Sequence, residues 1–448
     1  MRRTHRLFIA LAVVIVGSWG IVAAADLTPV EQLGKELYFD KISDPGSMAC
    51  ATCHMPRSGF TGAVAGINRH GAVYRGAMPQ RFGNRKPPSV AYATQSPIFY
   101  FDADEGLFIG GNFWDGRATG MALGNPAADQ ARGPFLNPVE QNMPSREAVC
   151  EHVVDTNYAD LFEEVWGAGS LDCSAAGIDL AYNRIALSIA SFEASPEVNQ
   201  FNSKFDRWYE GEVELTEQEA WGMELFNGKA MCSACHISEV GDDGGKPLFT
   251  DYTFDNLGTP RNPENPFYEM DEVYLDNGSP INPEGIDWID PGLGGFLANQ
   301  TINPDWADMA MDNMGKHKVP TLRNVGAGPG SGFPKAYTHN GYFKSLKSIV
   351  HFYNTRDVKP TCTDPFTLEA DALRMGCWPE PEVALNVNTD ELGNLGLTDE
   401  EEGAIVAFML TLSDGFTGRG GSGRSQIKFE DRVIRQRTTT PVNIEMNR

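Results

Sequence analysis

Two pentapeptides, Cys50-Ala51-Thr52-Cys53-His54 and Cys232-Ser233-Ala234-Cys235-His236, constrain this chain more than any other feature. Two thiols at C-x-x-C spacing with a histidine directly after them form the attachment signature of a c-type haem. The thiols become thioethers and the histidine reaches the iron. A zinc site would need a further C-x-x-C at zinc spacing near either motif, and none is there. The chain therefore reads as two haem-bearing units, with Cys50, Cys53, His54, Cys232, Cys235 and His236 holding two covalent haem c groups.

Attachment of this kind takes place outside the cytoplasm, and the N-terminus agrees. Arg2, Arg3 and Arg6 precede an apolar run from Leu7 to Val22, and Ala23-Ala24-Ala25 offers a small-residue cleavage site before Asp26. The reading is a secretory signal over residues 1–25, cleaved after Ala25 into the periplasm, with an uncleaved anchor as the alternative. No later run approaches the roughly 18 apolar residues of a membrane span, so no membrane contact is expected after cleavage. The formal net charge is −24, and losing the three leader arginines makes it three units more negative. Such a surface repels nucleic acid and would steer a cationic protein toward it, or serves only to keep an exported protein in solution. Four cysteines remain. Sequence proximity in an oxidising compartment favours Cys150 with Cys173 and Cys362 with Cys377, one of three connectivities.

A weak internal repeat frames the haem motifs. Thr28-Pro29-Val30-Glu31 is a capping box with proline at the first helical position, leading through Gly34 and Leu37 to the first motif. Thr216 and Glu219 repeat the box, leading through Gly222 and Leu225 to the second. Each half closes on a predicted amphipathic helix, Arg184 to Phe192 in the first and Ala404 to Leu412 after the Thr398/Glu401 box in the second. Stretches rich in Pro, Gly and Asn, 55–112 and 241–316, predict long irregular loops, the second an insertion over the haem domain. The expected fold is mainly α, two cytochrome c-like helical domains at 26–200 and 201–414. Residues 415–448, without apolar periodicity, are expected to be a disordered tail.

The remaining motifs bear on chemistry. Phe113-Trp114-Asp115-Gly116-Arg117, then Gln130 to Glu140, Lys318-Val319-Pro320-Thr321-Leu322-Arg323-Asn324 and Ala336-Tyr337-Thr338-His339-Asn340-Gly341 lie between residues 113 and 341. In these motifs the chain resembles the bacterial di-haem cytochrome c peroxidase and MauG superfamily over most of residues 27–413. The resemblance implies that Trp114 lies between the haems and that Gln130 and Glu140 stand in the distal pocket of the N-terminal haem, with the spacing from Trp114 to Gln130 a few residues longer than usual. Splitting a peroxide bond requires a proton to move from one oxygen to the other, and a carboxylate in an apolar pocket can carry it. The resemblance further implies a propionate contact for Arg323, a position between the domains for His339, and a loop histidine for which His70 is a candidate. It also allows a calcium ion between the domains, at a position where Lys86 stands in place of the family's asparagine, with Asn84 nearby.

In Ser348-Ile349-Val350-His351-Phe352-Tyr353 the apolar stripe Leu346, Ile349, Val350 and Tyr353 follows helical spacing, which turns His351 away as a polar surface or interdomain residue. In the family, the fourteenth residue after the histidine of the H-N-G motif is the distal ligand of the C-terminal haem, and counting from His339 reaches Tyr353. Peroxidases of the family carry methionine there, whereas MauG carries tyrosine. A thioether raises the potential, while a hard phenolate oxygen favours higher oxidation states of the iron. The function implied is a di-haem oxidoreductase that reduces hydrogen peroxide at the N-terminal haem with electrons passed through the C-terminal one. The donor would be a small periplasmic cytochrome c or cupredoxin. The alternatives are MauG-like oxidation of side chains in a partner protein, a non-catalytic electron carrier, and a sensor with inactive haems. A homodimer is compatible with any of them.

Overall fold

Each half is built on a pair of crossed helices, and a glycine sets how closely they cross. The opening helix Pro29–Phe39 starts at the Thr28/Glu31 capping box, and its counterpart Glu217–Asn227 starts at the Thr216/Glu219 box. Gly34 of the first lies on the closing helix Ile178–Ala194, where a Cβ would come 1.8 Å from the Ser188 carbonyl oxygen. Gly222 repeats the contact on the closing helix Asp399–Leu410, where a Cβ would come 1.9 Å from the Ala404 oxygen. The sequence repeat is thus a repeat of packing.

The computed structural model describes residues 26–418 apart from 242, 243 and 331. The expected leader, residues 1–25, lies outside the described residues, as does the expected tail from 419 onward. At the start of that tail the backbone N–H groups of Gly415 and Phe416 donate to Asn202. The described chain is mainly helical with long irregular loops. Its strands form two short antiparallel ribbons, Tyr100–Asp102 with Leu107–Ile109 and Phe254–Asp255 with His317–Lys318. Among the described residues no helix is long and apolar enough to cross a membrane.

Two apolar cores follow the helix pairs. One gathers buried residues from Leu33 to Val198, among them Leu37, Tyr38, Ile185, Ile189 and Phe192. The other gathers Phe205, Phe226, Phe249, Ile405 and Phe408. A smaller third core shows what the Pro- and Gly-rich insertion does: Leu293, Leu297 and Trp306 pack on Phe108 of the first ribbon and on Phe99 just before it, so the insertion is anchored to the N-terminal half. Cys150 bonds Cys173 and Cys362 bonds Cys377, the pairing that sequence proximity favours.

Candidate functional site

Both C-x-x-C-H motifs open onto cavities large enough for a tetrapyrrole. The first, about 1670 Å³ of empty space partly open to solvent, is lined by Cys50, Cys53 and His54. The second, about 1720 Å³ and also partly open, is lined by Cys232, Cys235 and His236. The four motif cysteines are free thiols, as attachment requires.

The frame that holds each histidine is the same in both halves. His54 Nδ1 lies 3.3 Å from the Phe60 carbonyl and 3.0 Å from that of Pro88. His236 Nδ1 lies 2.8 Å from the Phe249 carbonyl, and Pro320 supplies the second backbone oxygen. A carbonyl on Nδ1 fixes the proton there and leaves Nε2 as a free lone pair aimed away, the orientation of a metal-binding imidazole. Burial lowers both imidazoles to about 4, so both are neutral at ordinary pH and fit for iron.

Phe60 and Phe249 both adopt left-handed backbone conformations, φ 58° and 55°. These conformations turn the carbonyls inward at a cost that bulky residues otherwise avoid. The following threonines brace the turn: Thr61 Oγ1 donates to the Pro87 oxygen at 2.5 Å, Thr250 Oγ1 to the Val319 oxygen at 2.7 Å. Ser89 donates to Gly59 O and Thr321 to Leu248 O, at 2.7 and 2.6 Å. The segments Lys86-Pro87-Pro88-Ser89 and Lys318-Val319-Pro320-Thr321 are therefore one motif used twice.

A second duplicated element joins the halves. Asn112 pairs with Ala118 and Tyr337 with Phe343 around tight turns that begin at Phe113 and Thr338, φ 65° and 68°. Trp114 and His339 hold the same place in these turns. Each turn meets the lysine motif of the other half: Lys86 N–H donates to His339 O at 2.7 Å, and Lys318 N–H to Trp114 O at 2.8 Å. The Trp114 indole N–H donates to Lys86 O at 2.8 Å. Lys86, Pro88, Trp114, Lys318 and Pro320 line both cavities and form the wall between them. Asp414 closes the junction, accepting from Tyr92 Oη and Asn324 Nδ2, both at 2.8 Å.

Above the histidines the cavities differ. Gln130 and Glu140 line the first. Burial raises the Glu140 carboxyl above its usual range, against the pull of Arg117 and a hydrogen bond from Asn137. Tyr353, on the helix Leu346–Thr355, lines the second, and burial holds its phenol well above its usual range. The neighbouring His351 is not simply a surface group: Nδ1 meets the buried Glu402 at 2.8 Å, and Nε2 meets Lys359 Nζ at 2.6 Å.

Other expected positions are more varied. Arg323 lines the second cavity with Nε on Pro247 O and Nη1 on Asp206, both at 2.8 Å, while its buried Nη2 has no partner. The guanidinium is wholly buried among the rings of Tyr92, Phe201, Phe205 and Phe249, so, contrary to expectation, the structure does not present it to a carboxylate in the cavity. His339 stacks on His317 at 3.6 Å between ring centres and meets Glu382 at 3.3 Å. His70 is exposed, pairs with Glu264 at 2.7 Å, and is not among the residues lining the first cavity.

Sequence reading missed Glu193, which is 4% exposed, lines the first cavity and is raised to about 8 by burial alone. Its signal was present: an acid four residues after Ile189, on the apolar stripe of the closing helix.

Comparison with known proteins agrees in kind. Residues 29–214 match the family model described as di-haem cytochrome c peroxidase. The methylamine utilization protein MauG of Paracoccus denitrificans is 34% identical over 389 residues, 85% of this chain and 88% of that protein. A cytochrome-c peroxidase, IdrP1, of Denitromonas iodatirespirans is 27% identical over 85% of this chain and 80% of its own length. Among solved structures, the diheme peroxidase BthA of Burkholderia thailandensis superposes with a TM-score of 0.66 at 27% identity, covering 89% of this chain and 90% of that one.

Proposed function

This chain belongs to the di-haem cytochrome c peroxidase and MauG family of oxidoreductases, and from that premise we propose that it is a periplasmic enzyme that reduces hydrogen peroxide in the N-terminal cavity with electrons arriving through the C-terminal one. The family's two haems would be held covalently, one by Cys50, Cys53 and His54, the other by Cys232, Cys235 and His236, with Tyr353 as the second protein ligand of the latter. When bound, the haem irons supply the redox chemistry.

The carrying observation is Glu140, a carboxyl of raised basicity in the same cavity as a neutral His54. Reduction of peroxide to two waters takes up two protons and two electrons. The Glu140 carboxylate can take the proton from one peroxide oxygen and return it to the other, so that the leaving oxygen departs as water. Gln130 offers an amide to orient the peroxide. Trp114, lining both cavities with its indole N–H fixed on Lys86 O, is an oxidisable bridge between them. The acidic surface favours a basic small cytochrome or a cupredoxin with a basic face as donor.

Tyr353 supports a second reading, MauG-like oxidation of side chains in a partner protein, because a hard oxygen ligand stabilises oxidised iron. One experiment separates the readings: holo-protein mixed with peroxide, with and without a reduced small c-type cytochrome. Steady cytochrome oxidation supports the first. Rapid reaction with peroxide but no cytochrome turnover supports the second. If neither reduced haem binds carbon monoxide, both irons are closed and the chain is an electron carrier.

A further inference from the structure

Three lysines, two of them buried and one half-buried, stand where a protein ordinarily avoids unpaired charge. Lys86 is 8% exposed and Lys335 9%, and Lys318 is half-buried. Their ammonium groups meet only neutral oxygens. Lys86 Nζ lies 3.3 Å from Thr61 Oγ1 and 3.1 Å from Pro87 O. Lys318 Nζ meets Ser96 Oγ at 2.6 Å, with Gly111 O and Asn112 Oδ1 close by. Lys335 Nζ meets the carbonyls of Ser58, Asn324 and Ala327 at 2.7 to 3.1 Å. None pairs with a carboxylate among the described residues. Burying an uncompensated ammonium costs several kcal/mol even after relaxation, and with protein groups alone burial lowers Lys86 to about 8, Lys318 to about 7 and Lys335 well below its usual range; an anion in the cavities they line would hold the charge on.

Lys86 and Lys318 open the two copies of the lysine motif and line both cavities. A tetrapyrrole of the c type brings two carboxylates, and this wall is where cations wait for them from either side. We propose that Lys86 is a built-in cation shared by the two cofactor cavities, the counter-charge for carboxylates of both haems and the group that ties their potentials together. The inference rests on the reading that each cavity holds one haem.

The same geometry disposes of calcium at this wall. Calcium takes six to eight oxygen ligands and favours carboxylates. Here two oxygens of the wall, Thr61 Oγ1 and Pro87 O, already face the Lys86 ammonium, which makes no ion pair with a carboxylate among the described residues. A divalent ion beside that ammonium would be repelled, so the residues present do not fit calcium, and Lys86 supplies the positive charge instead.

The test compares wild-type holo-protein with Lys86→Met and Lys86→Arg. Haem per chain is counted by the pyridine haemochrome method, and both potentials are measured by spectroelectrochemistry, with chelator and with added calcium. Removing the charge should make both haems harder to reduce, each reduction equilibrium moving about tenfold, or about 59 mV for a one-electron couple. Arginine should restore both, and neither chelator nor calcium should move the wild type. If Lys86→Met does not load two haems, Lys86→Gln, uncharged but still a hydrogen-bond donor, takes its place. Two bound haems with a shift at only one haem, or at neither, would overturn the proposal, as would wild-type potentials that follow calcium. A wild-type protein with fewer than two haems would instead refute the reading beneath it.

Discussion

The two halves of the molecule hold a histidine in one frame and differ in what they set above it. Phe60 and Phe249, Thr61 and Thr250, Pro88 and Pro320, and Ser89 and Thr321 make the same contacts in the same order. After the tight turn the likeness ends. The N-terminal half sends Gln130 and Glu140 into its cavity, and the C-terminal half sends Tyr353. The frame delivers a neutral imidazole with a free Nε2, which both halves need. The segment after the turn supplies an amide and a carboxyl to one cavity and a phenol to the other, and Glu193 of the closing helix adds a second carboxyl to the first.

The sharpest way to break this comparison is to exchange the character of one distal residue at a time. Glu140→Gln keeps the shape and removes the proton carrier, so the reaction with peroxide should slow by about 10²- to 10⁴-fold. Stopped-flow spectra would measure it, and the potential of the second haem should stay where it was. Tyr353→Met should do the reverse, raising the second haem's potential with its ligand changed from oxygen to thioether. An unchanged spectrum and potential would remove Tyr353 from the iron. If Glu140→Gln also moved the second haem's potential, the halves would not be separable.

Next in size is the helix crossing on which each half is built. Gly34→Ala and Gly222→Ala place a methyl against a backbone carbonyl at nearly equal distances, 1.8 and 1.9 Å. Neither carbonyl can swing aside, so each substitution should cost about 3 kcal/mol by forcing the helices apart. Each should lower the unfolding transition of its own half in a thermal or urea titration. Unequal losses would show that the closing helices, though crossed alike, do not share the load.

Much of this architecture was legible because local chemistry specified it. The Thr28, Thr216 and Thr398 boxes begin helices where they were read, since threonine and an acid three residues later satisfy the same free N–H groups in any context. Tyr353 follows helical spacing into the second cavity. That the two lysine segments are copies of one motif stayed hidden because their distance from the haem motif differs between the halves, 54 to 86 in one and 236 to 318 in the other, the longer gap holding the insertion. The left-handed turns at Phe60 and Phe249 gave no sign either, because a phenylalanine rather than a glycine occupies them. Glu402 meets His351 across 51 residues of chain, beyond the reach of any periodicity.

That last contact gives the smallest prediction and the finest form of the comparison. In the N-terminal half the helix after the turn, Pro126–Ala131, packs on its closing helix through Ala127, Ala128 and Ala190, with no charge involved. In the C-terminal half the helix bearing Tyr353 is tied to its closing helix by the buried Glu402 carboxylate, which meets His351 at 2.8 Å, Asn354 at 2.7 Å and Lys347 at 2.9 Å. These partners overcome the opposing cost of burial and lower the carboxyl to about 2. A depressed folded-state value means that its stabilisation is present above the unfolded value of 4.5 and is lost as pH falls toward about 2. At about 1.36 kcal/mol per pH unit the full loss would be about 3 kcal/mol, which solvent screening reduces to about 2 kcal/mol, confined to the C-terminal half. Thermal unfolding followed from pH 5 to pH 2 should show the C-terminal transition falling in wild type. In Glu402→Gln it should start lower and fall less steeply, Glu219 and Glu401 still titrating, until the two proteins converge near pH 2. The N-terminal transition, held by alanine packing, should differ little between the two proteins across that range. If acid instead loosened both halves of the wild type equally and Glu402→Gln changed nothing, the ion network would not be what seats the Tyr353 helix.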